Sequence, residues 1–330
     1  MRVSIAALCW MVVTSAALAA DEPVAAPKPK RQRADQAGGK GGTEADLKSA
    51  VSHVYKTVNG TELKLYIFAP EGHSPGQKRP AIVFFFGGGW VNGTPTQFAP
   101  HSKYLASRGM VAIVADYRVK NRNDSTVEQS TADAKSAIRW VRSHSSELGI
   151  DPKRIAAGGG SAGGHLAGIT GTLEGGDEPG EDTSVSARPN AMVMFNPALV
   201  LPSREELKKQ GDPKDLGSRF SGDPIAVSPH AHVKPGQPPA IIFHGKDDTT
   251  VPYATAQEFT DAAVKAGNRC ELCGYEGQTH GFFNANRPGK EYFLKTLEKA
   301  DEFLASLGWL EGKPTVKEFF AKELSEKQAP

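Results

Sequence analysis

Five consecutive residues carry the strongest chemical signal: Gly159-Gly160-Ser161-Ala162-Gly163 satisfies G-x-S-x-G, after the apolar run RIAA and at the start of a helical pattern. A serine on a tight strand-to-helix turn needs small residues two places before and after it, which Gly159 and Gly163 provide. A serine hydroxyl is a weak nucleophile near neutral pH and requires a base oriented by an acid. Both follow in the order Ser, Asp, His: AIIFHGKDDTTVP sets Asp247 and Asp248 after an apolar run, and CGYEGQTHGFFN sets His280 beyond the next one. Spacing alone does not separate the two aspartates. His165 lies one helical turn beyond Ser161 and reads as packed or capping, His230 and His232 fall in a Pro-rich loop, and His244 precedes the acid loop. Only His280 follows a strand after the acid. A phosphate-binding reading of the glycines fails for want of a G-K-[ST] ending or a G-x-G-x-x-G with its later acidic residue.

These residues need a scaffold that brings several loops to one edge. HVYKTVNGTELKLYIFAP reads as a hairpin about Asn59-Gly60. Strand patterns then alternate with helical ones: AIVFFF, a helix near 97–108, MVAIVADY, an amphipathic helix near 128–147, RIAAGG, a helix from Ala162, AMVMFNPA, AIIFHG, a helix near 254–266, CELCGYEG and a helix near 290–306. Such alternation implies an α/β fold, a mostly parallel sheet with helices on both faces and the hairpin antiparallel at one edge. Sites in such sheets lie beyond the C-terminal strand ends, where all three candidates fall. In RPAIVFFFGGGW, an apolar strand buried on both faces runs into three glycines that let backbone approach a neighbour closely. The loops at 174–190 and 202–238 are long and rich in Gly, Pro and charge, as functional or mobile loops are.

At 330 residues, 39% hydrophobic and 23% charged, the chain suits a globular domain with a sizeable core. A formal net charge of +2 with no basic helix argues against nucleic acid as a partner. Residues 1–20 read as a signal peptide: Arg2, an apolar stretch, and Ala17-Leu18-Ala19 as an A-x-A cleavage site. That stretch is short for a bilayer span, so stable membrane insertion is not expected. Residues 21–48 read as a disordered leader, 49–312 as the catalytic domain and 313–330 as a polar, loosely docked tail. Cys270 and Cys273 sit in a strand pattern, where residues three apart face opposite ways. Strand packing is the expectation, with a local disulfide as the alternative.

From about His53 to Leu310 the chain resembles the α/β-hydrolase superfamily, in the esterase/lipase branch related to hormone-sensitive lipase and secreted acetylxylan esterases. GGGW, VADYR, DAKSAIRWVR, LGIDPKRIAAGGGSAGGHLA, HGKDDTTVP and THGFF carry the resemblance, in that branch's order. It implies Ser161 as nucleophile, His280 as base and, through H-G-x-x-D-x-x-V-P, Asp248 as the acid. Backbone amides of Gly88, Gly89 and Ala162 would stabilise the oxyanion, without metal or cofactor. Two positions depart from the branch: Phe86 stands where it usually has His, and Gly160 where it often has Asp.

The implied function is a secreted or periplasmic serine carboxylesterase that hydrolyses short-acyl esters, such as acetyl groups on polysaccharide. Patterns for a deep helical lid are lacking, in keeping with an open cleft for a small-molecule or polysaccharide ester. Oligomeric state stays open. Two alternatives remain: a non-catalytic hydrolase-fold binding protein, which Ser161 labelling would discriminate, and a serine peptidase, which amide substrates would.

Overall fold

Alternating apolar positions build the sheet from the inside. In β3 (Arg79–Phe85), Ala81, Val83 and Phe85 join the core on one face, while Ile82 and Phe84 join the core on the other. β4 (Val111–Ala115) divides its residues the same way. The computed structural model describes residues 43–212, 215–288 and 290–328, so the expected signal peptide and the leader as far as residue 42 lie outside the described residues.

Among the described residues, eight strands form one sheet in the order β1-β2-β4-β3-β5-β6-β7-β8. β1 (Val51–Val58) and β2 (Thr61–Phe68) are the antiparallel hairpin, and β2 pairs antiparallel with β4. Asn59 and Gly60 both have positive φ, 49° and 76°, as a two-residue hairpin turn requires. β5 (Ile150–Gly160), β6 (Ala191–Phe195), β7 (Ala240–Gly245) and β8 (Cys270–Tyr275) continue the sheet in parallel from β3.

The helices in chain order are α1 (Glu44–Leu47), α2 (Ala99–Ser107), α3 (Lys120–Asn123), α4 (Val127–Ser143), α5 (Ala162–Thr172), α6 (Arg204–Lys209), α7 (Tyr253–Lys265), α8 (Glu291–Ser306) and α9 (Val316–Gln328). α4, α5 and α7 cover one face of the sheet, and α2, α8 and α9 the other. α4 stops at Ser143, short of the expected 147. The Ser143 hydroxyl donates to the Trp140 carbonyl, so a serine side chain competes for a helix acceptor where four more polar residues follow.

Ordered elements flank the expected catalytic domain, residues 49–312, on both sides. Residues 43–48, assigned to the leader, include α1, where Leu47 is buried and Asp46 pairs with Lys103 at 2.6 Å. The expected polar tail 313–330 contains α9, which buries Val316 and Phe320 against α2 and α8. Its few apolar residues were outnumbered in sequence by charges on the solvent side. The 174–190 loop is tied to α4: Arg139 pairs with Asp177 and Glu181, and Lys135 with Asp177. Cys270 and Cys273 are free thiols that pack against opposite faces of the sheet, as the strand reading expects. Burial pushes the Cys270 thiol up to about 11, which keeps it protonated and unreactive at neutral pH.

Candidate active site

Of the six parallel strands that end on one edge of the sheet, β3, β5, β6, β7 and β8 deliver loops to the same place. β5 delivers Ser161 with φ 55° and ψ −118°, a sparsely populated conformation that costs a non-glycine residue about 1–3 kcal/mol. The packing that imposes it leaves no space for side chains. A Cβ on Gly163 would lie 2.0 Å from the Phe85 carbonyl oxygen, and one on Gly159 would lie 2.4 Å from that of Gly163. Gly160, where the branch that the sequence resembles often has Asp, abuts the Phe283 ring, whose Cζ would be 2.4 Å from an added Cβ. The ring from the His280 loop fills the space that an Asp side chain would need.

Ser161, His280 and Asp248 are brought together. The Ser161 Oγ lies 2.9 Å from His280 Nε2, and His280 Nδ1 lies 2.7 Å from Asp248 Oδ2. Burial works against the Asp248 carboxylate. Hydrogen bonds from His244, His280 and the Val251 amide outweigh it and hold the carboxyl far below the usual range. An ionised carboxylate only accepts, so His280 carries its proton on Nδ1 and turns a free Nε2 lone pair toward the serine hydroxyl. Asp247 is exposed and makes no such contact; of the two neighbours it is Asp248 that is hydrogen-bonded to His280.

Asp248 is also gripped by residues to which the sequence reading gave no part in the site. Asn196, fully buried at the end of β6, donates from Nδ2 to Asp248 Oδ2 at 2.9 Å. The amides of Thr250 and Val251 donate to Oδ1 at 2.8 and 2.9 Å. His244 Nε2 lies 2.8 Å from the Val251 carbonyl and 3.4 Å from Asp248 Oδ2. The available signal for Asn196 was a polar residue closing the apolar run AMVMF at a position with φ 43°, which Asn tolerates well. His165 is buried with Nε2 2.7 Å from the Val227 carbonyl, the packed role expected of it.

The glycine loop after β3 folds against the nucleophile. A Cβ on Gly87 would lie 2.8 Å from the Gly160 oxygen and 3.2 Å from the Ser161 Cβ. Gly88 has φ 129° and no space for a side chain, since a Cβ there would meet the Asn92 carbonyl oxygen at 2.1 Å. The Gly87 amide is already used, donating to Gln97 Oε1 at 2.6 Å. The amides of Gly88 and Gly89 have no acceptor among the described residues, and Ala162 opens α5, where first-turn amides are free of intrahelical partners. Phe86 is buried and stacks on Tyr117 with ring centroids 4.1 Å apart, while the Tyr117 hydroxyl donates to the Phe86 carbonyl at 2.6 Å. Among the described residues no cluster of His, Cys, Asp and Glu is arranged to hold a metal ion.

The chain is similar to known proteins. Thermogutta terrifontis esterase 2 with butyrate bound is 51% identical, covers 81% of this chain and 97% of its own, and superposes with a TM-score of 0.76. The same esterase phosphorylated by paraoxon is 49% identical over 81% of this chain and 97% of that one, again with a TM-score of 0.76. The acetylxylan esterase of Xylanibacter ruminicola is 29% identical over 269 residues, 77% of this chain and 49% of that protein. The chain spans about half the length of the curated relatives it matches. The dienelactone hydrolase family matches residues 220–320, and the BD-FAE family matches residues 65–262, more than half of the chain. The sheet order, the strand-end loops and these matches agree: the chain belongs to the BD-FAE family, in the esterase branch of the α/β-hydrolase fold.

Proposed function

We propose that the protein is a serine hydrolase of carboxylic esters, exported from the cytoplasm and selective for short acyl groups. The hydrogen-bonded line from Ser161 through His280 to Asp248, at 2.9 and 2.7 Å, carries this reading. Ser161 Oγ attacks the ester carbonyl as His280 Nε2 takes its proton, and Asp248 holds the resulting imidazolium. The oxyanion is met by the amides of Gly88, Gly89 and Ala162. His280 then gives its proton to the departing alcohol, leaving an acyl-Ser161. Water, deprotonated by the same nitrogen, attacks that acyl group, and the carboxylic acid leaves as Oγ recovers its proton.

Phosphorylation of a relative by paraoxon supports an activated nucleophile, and the butyrate complex together with the acetylxylan esterase relative supports short acyl groups. Acetyl esters of a polysaccharide alcohol are the substrate class favoured by this combination. One p-nitrophenyl ester series from acetate to octanoate tests both parts. Acetate to butyrate is expected to be turned over faster than octanoate, and Ser161→Ala is expected to lose at least about 10³-fold in kcat. Unchanged turnover in Ser161→Ala would reject the nucleophile, and preference for octanoate would reject the short-acyl assignment. The Arg2 to Ala19 pattern supports export. The mass of protein recovered from outside the cytoplasm is expected to correspond to a chain starting near Ala20, and full-length mass there would oppose cleavage.

A further inference from the structure

We propose that Gln97 and Asn284 act as a positioning strap, setting the oxyanion amides of the glycine loop in register with His280. The proposal rests on the triad reading above and adds two residues to its machinery. Gly87 N–H donates to Gln97 Oε1 at 2.6 Å, Gln97 Nε2 donates to Asn284 Oδ1 at 2.9 Å, and Asn284 Nδ2 donates to the Gly281 carbonyl at 2.9 Å. Gln97 and Asn284 are 3% and 4% exposed, so solvent does not substitute for a lost link.

The direction of the chain is fixed from both ends. A backbone N–H only donates and a backbone carbonyl only accepts, so Gln97 must present its oxygen to Gly87 and Asn284 its nitrogen to Gly281. Each amide then spends both of its ends. On the histidine side, Arg287 donates to the His280 carbonyl at 2.7 Å and to the Gly281 carbonyl at 3.1 Å, making the turn one unit. On the glycine side, the Phe86–Gly87 peptide is pinned at both polar ends, by the Tyr117 hydroxyl on its carbonyl and by Gln97 on its N–H. That peptide precedes the two whose N–H groups face the oxyanion, so its plane sets theirs. Where the branch that the sequence resembles usually has a histidine, this chain has Phe86 and holds the loop by Tyr117 and Gln97.

A displacement of about 1 Å in a catalytic constellation costs roughly 10²-fold in rate. Gln97→Met removes both links and is expected to lower kcat by about 10–10²-fold with little change in KM, because the strap serves the transition state rather than binding. Gln97→Glu keeps the acceptor for Gly87 but faces Asn284 Oδ1 with a second acceptor. Protonating that carboxyl restores a donor, so the ratio of Gln97→Glu kcat to wild-type kcat is expected to rise as pH falls, while the Gln97→Met ratio stays flat. A merely structural role would lower thermal stability without this pH-dependent rescue. Asn284→Asp breaks the link to Gly281 from the other end and keeps the test valid where Gln97→Met does not fold. Gln97→Glu and Asn284→Asp with kcat within two-fold of wild type would overturn the strap. Ser161→Ala measured alongside separates the two hypotheses, since its loss of activity with neutral strap variants leaves the triad standing and removes only the strap.

Discussion

His101 is a titratable side chain with nowhere to put a charge. It is fully buried in α2, and the rings of Phe84, Phe98, Phe195, Phe283 and Phe293 surround it with centroids 4.8–6.4 Å away. Neither ring nitrogen has a partner among the described residues, and burial pushes its pKa down to about 3. Folded protein therefore keeps His101 neutral over a range in which the unfolded chain, with an ordinary pKa near 6.5, binds a proton. Stability from this group is fully present above about pH 6.5 and is lost as pH falls toward 3. His165, pushed down to about 4 by burial against a smaller opposing effect of its hydrogen bond to Val227, works in the same direction. His101→Leu removes one proton from that linkage and two unsatisfied nitrogens from the core. Urea midpoints at pH 6.5 and 4.5 are expected to fall further apart in wild type than in His101→Leu, with the variant at least as stable at pH 6.5. Equal losses in the two proteins would show that His101 finds a partner or solvent.

At the scale of elements, two motifs of the resemblance turn out to be one piece of structure. Arg118 of VADYR and Asp133 of DAKSAIRWVR meet at 2.8 Å, the second fully buried, and Lys56 of β1 adds a contact to Asp133 at 2.6 Å. Glu178 accepts from both cations at 2.6 Å, so the hairpin, the segment after β4, α4 and the 174–190 loop share one charge network. Its members lie up to 122 residues apart in the chain, so no local period or turn signal announces them. The same contrast explains what was legible in the site. Ser161, Asp248 and His280 each follow an apolar strand run, and a strand end is a local pattern. Asn196, Gln97 and Asn284 act through contacts with other loops, and polar residues in loops look alike until the sheet brings them together. Strand and helix order was readable because the core has two faces, so β3 and β4 alternate strictly between them. Helix ends were less readable because side chains compete there, as the Ser143 hydroxyl does for the Trp140 carbonyl at the end of α4.

Over the whole molecule, the C-terminal segment decides how much of the chain the domain needs. The Thr315 amide donates to the Tyr104 hydroxyl at 3.1 Å, and that hydroxyl in turn donates to the fully buried Asp301. Arg108 donates from Nε to Asp301 at 2.7 Å and from Nη2 to the Glu311 carbonyl at 2.8 Å, so α2 and α8 clasp the chain just before α9. Beyond the clasp, Phe319 and Phe320 lie 5.7 and 6.4 Å from the Tyr104 ring, and Phe320 lies 4.9 Å from Phe293. Deleting residues 314–330 uncovers that surface and removes the buried Val316 and Phe320 side chains. Burial of two such side chains contributes about 3–6 kcal/mol as an upper bound, a large share of a typical domain's stability. The loops that carry Ser161, Asp248 and His280 sit at the strand ends, whereas α9 packs on the outer helices of one face. Thermal unfolding of the truncated protein is therefore expected at least about 5 °C below wild type, with ester turnover below its melting range kept within a few-fold. An unchanged melting temperature would restore the loosely docked tail, since a segment that buries little has little to lose.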